Sequence, residues 1–198
     1  MEKYNPHKTA ISRKVSVMTA PSRWLLERVL IPRGIEPSSV LDFGTGKSHD
    51  PELWEDLTGS VGFGYDKYPH PGFENRVKRP QHQFELVTMN YVLNVLATEE
   101  ERAEALLDAA SFVIPGGFLW VSTRSKAHID KQGREKGWGM LEGGTWISSP
   151  TKGTVQFGMD EADIVALAQK YNLSEFAHDR VPGKPGSDTG CALFKRHD

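Results

Sequence analysis

Short apolar runs alternate with amphipathic stretches along most of this chain, and glycine and proline fall at the boundaries between them. Residues 39–43, 61–65, 84–89 and 118–122 read as buried strands. Over residues 21–30, Trp24, Leu25, Val29 and Leu30 recur at helical spacing, and Pro32 with Gly34 marks the end of that helix. Asp50-Pro51-Glu52 opens a second helix: a capping aspartate, a proline in the first turn and an acid at the positive helix end. Thr98 with Glu101 three residues later has the capping-box pattern, and the helix it starts aligns Ala103, Leu106, Leu107 and Ala110. Pro115-Gly116-Gly117 reads as a turn. A last helix starts at residues 159–161 with Ile164, Leu167, Ala168 and Tyr171 inward, and two short strands follow, at 175–178 and 191–194. The alternation predicts the α/β class, with a doubly wound, mostly parallel Rossmann-like sheet covered on both faces.

Two stretches resist this reading. Residues 66–83 are polar and proline-rich, with room for one short strand at most, near residues 76–78. Residues 126–158 are glycine-rich and carry Trp138 and Trp146 without a clear period. A segment of that length in a compact domain is usually functional or mobile. Its tryptophans complete a core or stack on a base.

The length of 198 residues predicts one domain, with residues 1–35 as a basic extension and helix and 36–198 as the α/β core. Hydrophobic residues at 38% and charged ones at 25% give a globular balance. No apolar run approaches the roughly 20 residues of a membrane span, so no membrane partner is expected. The first residues lack a secretion signal, and the simplest compartment is the cytoplasm. A lone cysteine, Cys191, excludes a disulfide framework, and His49 and His82 lack ligand spacing, so no metal is expected. The net charge of −2 gives no general footprint for a polyanion. Residues 1–33, however, hold seven basic side chains against two acids. Lys8, Ser12 and Arg13 in this segment are candidate contacts for a phosphate-bearing substrate, and a solvated terminus is the alternative.

The chemistry concentrates in residues 40–50, Val-Leu-Asp-Phe-Gly-Thr-Gly-Lys-Ser-His-Asp. A strand ends near Asp42, and a turn through Gly44, Thr45 and Gly46 leads to a helix start at Asp50. Glycine there lets the backbone bend tightly and approach a ligand, at the strand edge where open α/β sheets bind small molecules. Asp66, with Lys67 beside it, ends the next strand 24 residues after Asp42. An acid in that place suits the ribose of an adenosine-type cofactor. A dinucleotide fingerprint needs a third glycine so that pyrophosphate can sit on the helix N-terminus. Here that position is Ser48, and an acid at the helix start repels phosphate. S-adenosyl-L-methionine carries an ammonium and a sulfonium and no phosphate, so Asp42 and Asp50 favour it, while Asp66 suits either kind of cofactor. Asn90 and Tyr91 at the next strand end are candidates for catalysis, and Asn90 also for the cofactor. A strand cap and a packing ring are the plainer alternatives. Arg124, ending the strand after that, is a candidate for binding an anionic acceptor.

Taken in order, residues 40–46, the strand to Asp66, residues 84–95 and Pro115-Gly116-Gly117 resemble the class I S-adenosylmethionine-dependent methyltransferases. A linked set at residues 7–13, 40–50, 64–68 and 90–96, with Glu101-Arg102, is similar to methyltransferases associated with DNA phosphorothioation and to phage-encoded methyltransferase-like proteins. This resemblance implies a seven-stranded sheet whose last strand is antiparallel. It implies that Asp42, Gly44 and Gly46 line the methionine part of the cofactor, that Asp66 binds its ribose, and that Asn90 and Tyr91 face the reactive end. It also implies DNA or a nucleotide as a possible acceptor. Amino-methylating DNA enzymes carry a proline pair after this asparagine, whereas Asn90-Tyr91-Val92-Leu93 has none, which weighs against that chemistry. A methyltransferase of small molecules or proteins, or a cofactor-binding module without catalysis, remains the alternative.

Overall fold

Neighbouring residues of each central strand bury their side chains on opposite sides of one sheet. Leu41, Val87, Met89, Leu119, Val121, Ala192 and Phe194 join one apolar cluster, while Val40, Leu86, Trp120, Cys191 and Leu193 join another. Both faces of the sheet are therefore covered, as near-continuous apolar runs require. A computed structural model describes residues 4–9, 15–72 and 78–198 of the chain. Its six-stranded sheet has the order β2-β1-β3-β4-β9-β8. The strands are β1 (Ser39–Phe43), β2 (Val61–Tyr65), β3 (Phe84–Asn90), β4 (Val113–Arg124), β8 (Phe176–Asp179) and β9 (Thr189–Arg196). β1 to β4 run parallel, and β9 lies antiparallel between β4 and β8.

One face is covered by α4 (Glu99–Ser111) and α6 (Glu161–Lys170), through Ala103, Leu106, Ile164 and Leu167. The other is covered by the helix starting at α1 (Ala20–Leu25) and by α3 (Asp50–Thr58), through Leu25, Val29, Leu30, Leu53 and Trp54. The first helix runs on through Pro32 and ends at Gly34, as the stop signal there predicts. After α1 it widens into a π-helical turn, Leu26–Leu30, and closes with α2 (Ile31–Arg33), before Gly34 adopts a left-handed conformation at φ +63°. A widened turn accommodates a proline that has no N–H to donate.

Three expectations change. The seven-stranded sheet implied by the resemblance has six paired strands among the described residues. The strand expected near 76–78 falls mostly on residues 73–77, outside the described residues. Pro115-Gly116-Gly117 is a kink inside β4 rather than a turn before it: pairing jumps from Phe84–Val113 to Leu86–Phe118, and Gly116 sits at φ +76°. Residues 126–158 are ordered. They form α5 (Lys126–Glu135) and a small antiparallel sheet of β5 (Gly139–Met140), β6 (Trp146–Ser149) and β7 (Thr154–Gln156). Trp146 packs on Gly133, where a Cβ would stand 2.4 Å from its ring, and its indole N–H donates to Asp130 at 3.0 Å. That tryptophan serves packing.

Candidate active site

The carboxyl ends of β1, β2, β3 and β4 open into a cleft of about 1430 Å³. Ordinary small-molecule sites span roughly 300–1,000 Å³, so this one has room for a cofactor and an acceptor together. Its floor is the turn after β1. The N–H groups of Gly44 and Thr45 donate to the carbonyl of Tyr65 at 2.6 and 3.1 Å, lashing the turn to the end of β2. Gly46 N–H donates to Asp66 Oδ2 at 3.0 Å, and Tyr68 N–H donates to Asp66 Oδ1 at 2.8 Å. Each carboxylate oxygen accepts more than one hydrogen bond, so Asp66 shapes the turn and retains capacity for a ligand. Lys67 lines the cleft, is exposed, and lies over the Tyr68 ring at 5.7 Å.

Two features fix the shape of this turn. Gly44 has φ +76°, and a Cβ there would stand 2.2 Å from Val92 Cγ2. The Thr45 hydroxyl is buried against the Asp42 carboxyl, whose ionised form it helps to hold. Asp42 lies beside it, 3% exposed, and accepts from the Thr88 hydroxyl at 3.1 Å. Burial, then the nearby charge of Asp50, pushes its carboxyl up to about 7, against the opposing pull of the Thr45 and Thr88 hydroxyls.

Asp50 does not line the cleft, contrary to the sequence-based expectation. It is completely buried and accepts from Thr19 N–H at 2.8 Å and Thr19 Oγ1 at 2.5 Å. His49, not Asp50, is the cap of α3. The acid at the start of α3 thus fixes the start of α1, and Thr19 is the residue that lines the cleft.

Asn90 and Tyr91 both reach the cleft. The Asn90 amide nitrogen donates to Ser22 Oγ at 2.9 Å, and Ser122 Oγ donates to Asn90 Oδ1 at 2.8 Å. The side chain therefore ties α1 to β4, with one N–H and one lone pair left over. Tyr91 holds φ +59°, a conformation costly to a residue with a Cβ and common at functional sites. The Arg124 guanidinium lies 4.6 Å from its ring centre and is ion-paired to Asp188. Arg124 lines the cleft already neutralised by that acid. Lys8 is exposed on a short 3-10 turn, Pro6–Thr9, and is not among the residues lining the cleft, although Tyr4, Asn5, Pro6 and Thr9 are. Asn5 N–H donates to the Gly153 carbonyl at 2.8 Å, which pins this segment against the β6–β7 turn. Ser12 and Arg13 lie outside the described residues.

Sequence reasoning missed the far wall. Asn94, Arg102, Gln156 and Phe157 line the cleft, brought there by the short turn after β3, by α4 and by β7. Arg102 is 4% exposed, donates to the Leu96 carbonyl at 2.9 Å, and lies 3.8 Å from the Phe157 ring centre. Its position beside the buried Ala103 on α4 was the available signal. Thr19 had one too: a capping residue two positions before Pro21.

Glycine turn, paired strand-end acids and a doubly wound sheet define an α/β enzyme that binds an adenosyl cofactor at the carboxyl edge of the sheet. The model of the methyltransferase domain family matches residues 18–173. The chain belongs to that family, and S-adenosylmethionine is its methyl donor. No curated protein matches it. Among solved structures, the CcbJ methyltransferase from Streptomyces caelestis is similar at a TM-score of 0.61 and 12% identity, over 98% of this chain and 99% of that one. The sugar N-methyltransferase KedS8 from Streptoalloteichus sp. ATCC 53650 gives 0.62 and 12%, over 91% and 88%. The Burkholderia thailandensis 1,6-didemethyltoxoflavin-N1-methyltransferase, solved with 1,6-didemethyltoxoflavin and S-adenosylhomocysteine, gives 0.56 and 14%, over 86% and 76%. Identities this low show the shared fold. The family model and these three structures carry no phosphorothioation or phage connection. Among the described residues, no helix is long and apolar enough to cross a membrane.

Proposed function

We propose that this methyltransferase acts on a small, non-anionic acceptor that enters the cleft between the turn after β1 and the β6–β7 hairpin. The charge of the lining supports this reading most strongly. Among the described residues, eight carboxyl groups and four cationic side chains line the cleft. Ion pairs with Lys170, Arg79 and Asp188 neutralise Glu99, Asp108 and Arg124 in turn, which leaves, among the described residues, six carboxyl groups, Asp42 with its raised proton affinity among them, against three cations. A phosphate backbone brought to such a mouth meets net repulsion. DNA or nucleotide methylation, which the sequence resemblance favours, draws on the basic N-terminal segment, of which Lys8 stands off the cleft lining and Ser12 and Arg13 lie outside the described residues.

Bound at this turn, the cofactor supplies an electrophilic methyl group on a sulfonium. The chain's own task is to hold the partners in line and exclude water. Asp42 receives the cofactor's ammonium, Asp66 accepts from its ribose hydroxyls, and Gly44, Thr45 and Gly46 let the backbone close on it. Lys67 stands at the outer edge. Asn90, braced by Ser22 and Ser122, and the strained Tyr91, braced by Arg124, form the wall at the reacting end. Asp50 acts from behind, by fixing Thr19 and by raising the proton affinity of Asp42.

The test is methyl labelling. The purified chain with methyl-tritiated S-adenosylmethionine is offered a low-mass extract and, separately, purified DNA and RNA. Label entering neutral or basic low-mass compounds supports the reading. Label entering only the nucleic acids overturns it.

A further inference from the structure

The far wall carries a feature that the cofactor does not account for. Asn94 is 3% exposed, lines the cleft, and sits in the short turn Leu93–Val95 after β3. Its amide nitrogen donates to Gln156 Oε1 at 3.0 Å, and its backbone carbonyl accepts from Phe157 N–H at 2.8 Å. β7 and the residue after it thus grip Asn94 at both side chain and backbone. The Asn94 Oδ1 atom, by contrast, is buried with no hydrogen-bond partner among the described residues. Buried carbonyl oxygens are satisfied in native proteins with few exceptions, and each exception calls for a partner.

The other residues of that wall define what the partner is. Phe157 lines the same wall, with the Arg102 guanidinium 3.8 Å from its ring centre. Arg102 is itself fixed by the Leu96 carbonyl at 2.9 Å and by the Thr145 hydroxyl at 3.5 Å, so the ring has a rigid support. A flat apolar body packs well on such a ring. A cation is disfavoured by the guanidinium behind it, and an anion by the carboxylates of the cleft.

The geometry points to Asn94 as the specificity-determining residue of an acceptor subsite: its Oδ1 accepts a hydrogen bond from a neutral N–H or O–H group carried on a flat apolar molecule that packs against Phe157. This rests on the small-acceptor reading above. Binding here positions the acceptor. The hydrogen bond is made by a group that Asn94 recognises, and no proton or bond is transferred to Asn94.

The test uses matched probes on the full chain saturated with S-adenosylhomocysteine. Indole offers one ring N–H, and 1-methylindole has the same shape without it. Ligand-observed NMR titration gives a dissociation constant for each. Indole is expected to bind roughly five- to tenfold more tightly than 1-methylindole. Asn94→Leu brings that ratio to about one, and Asn94→Asp, which keeps an accepting oxygen, preserves it. Retention of S-adenosylhomocysteine binding by both variants shows that they fold. Equal binding of the two probes to the native chain, or a preference that survives Asn94→Leu, overturns the subsite alone. A native chain that fails to bind S-adenosylhomocysteine at all overturns the methyltransferase reading with it.

Discussion

Asp50 receives two hydrogen bonds from Thr19, from its N–H at 2.8 Å and from its hydroxyl at 2.5 Å, across 31 residues of sequence. Both residues are buried, at 0% and 5% exposure. Thr19 also caps α1 by accepting from Ser22 N–H at 3.4 Å, and Ser22 in turn receives the Asn90 amide. A chain of contacts therefore runs from the start of α3 through the start of α1 to the end of β3. Asp50→Ala leaves the Thr19 N–H and hydroxyl without an acceptor. The expected loss is about 2–4 kcal/mol of unfolding free energy, because each orphaned buried group costs roughly 1–3 kcal/mol. Urea titration of the variant against the native chain measures it.

The same acid raises Asp42, and this has a pH signature. Burial first, and Asp50 second, lift the Asp42 carboxyl from 3.8 to about 7. In that window the unfolded chain has released this proton while the folded chain still holds it. Asp42 therefore lowers stability as pH rises from about 4 to about 7, and the effect levels off above. Asp42→Asn removes the slope. The difference between native and variant unfolding free energies, followed from pH 4 to 8, is expected to fall and then flatten. A difference that rises with pH has the wrong sign for this account.

Cofactor affinity shows the opposite trend. If Asp42 binds the cofactor's ammonium, it must be ionised, so S-adenosylhomocysteine binding strengthens as pH rises toward 7, by up to about tenfold per pH unit. Calorimetric titrations at pH 5, 6, 7 and 8 check this. The dependence is absent in Asp42→Asn, whose affinity is low throughout.

Gly44 tests the turn itself. Alanine there adds a Cβ 2.2 Å from Val92 Cγ2 at a backbone φ of +76°. The left-handed conformation alone costs roughly 1–2 kcal/mol for a residue with a Cβ. Gly44→Ala is expected to weaken S-adenosylhomocysteine binding by at least about tenfold, the counterpart of roughly 1.4 kcal/mol. Val92→Ala in the same chain removes the clash but not the backbone strain, so it restores binding in part. Full restoration shows the clash to be the whole effect; no restoration shows that the strain is.

Tyr91 separates strain from function. Glycine at this position tolerates φ +59° without penalty, so Tyr91→Gly relieves the backbone while removing the ring beside Arg124. Unfolding free energy is expected to change by less than about 1 kcal/mol, since strain relief and the lost cation–π contact are of similar size. Methyl transfer falls even so. Unchanged transfer in this variant removes Tyr91 from the reacting end.

The strands were legible in the sequence because both sheet faces are buried. A covered strand is a largely apolar run: residues 39–43 coincide with β1, buried from Val40 to Phe43, and residues 61–65 coincide with the edge strand β2, of which Tyr65 is buried. The capping box at Thr98 and Glu101 is present with both of its bonds. The turn through Gly44 and Gly46 was legible for a local reason: two glycines between a strand end and a helix start mark a bend through left-handed backbone that residues with a Cβ rarely adopt. What escaped depends on partners far apart. Nothing near Asp50 shows that Thr19 occupies its carboxylate. Residues 126–158 hid a helix and three strands, because strands of two to four residues are too short for a period to emerge. Asn94 reads as a turn residue, and only the folded chain shows its oxygen buried and unmatched at the cleft wall.

Calorimetric titration of the native chain with S-adenosylhomocysteine at pH 7.5, repeated with Asp66→Ala, tests the central claim most directly. The two strand-end carboxylates and the glycine turn are expected to give one binding site per chain, and loss of Asp66 both removes the ribose contact and frees the Gly46 N–H, so the heat signal disappears. A native chain that gives no heat of binding, or an Asp66→Ala chain that binds as tightly as the native one, contradicts the account.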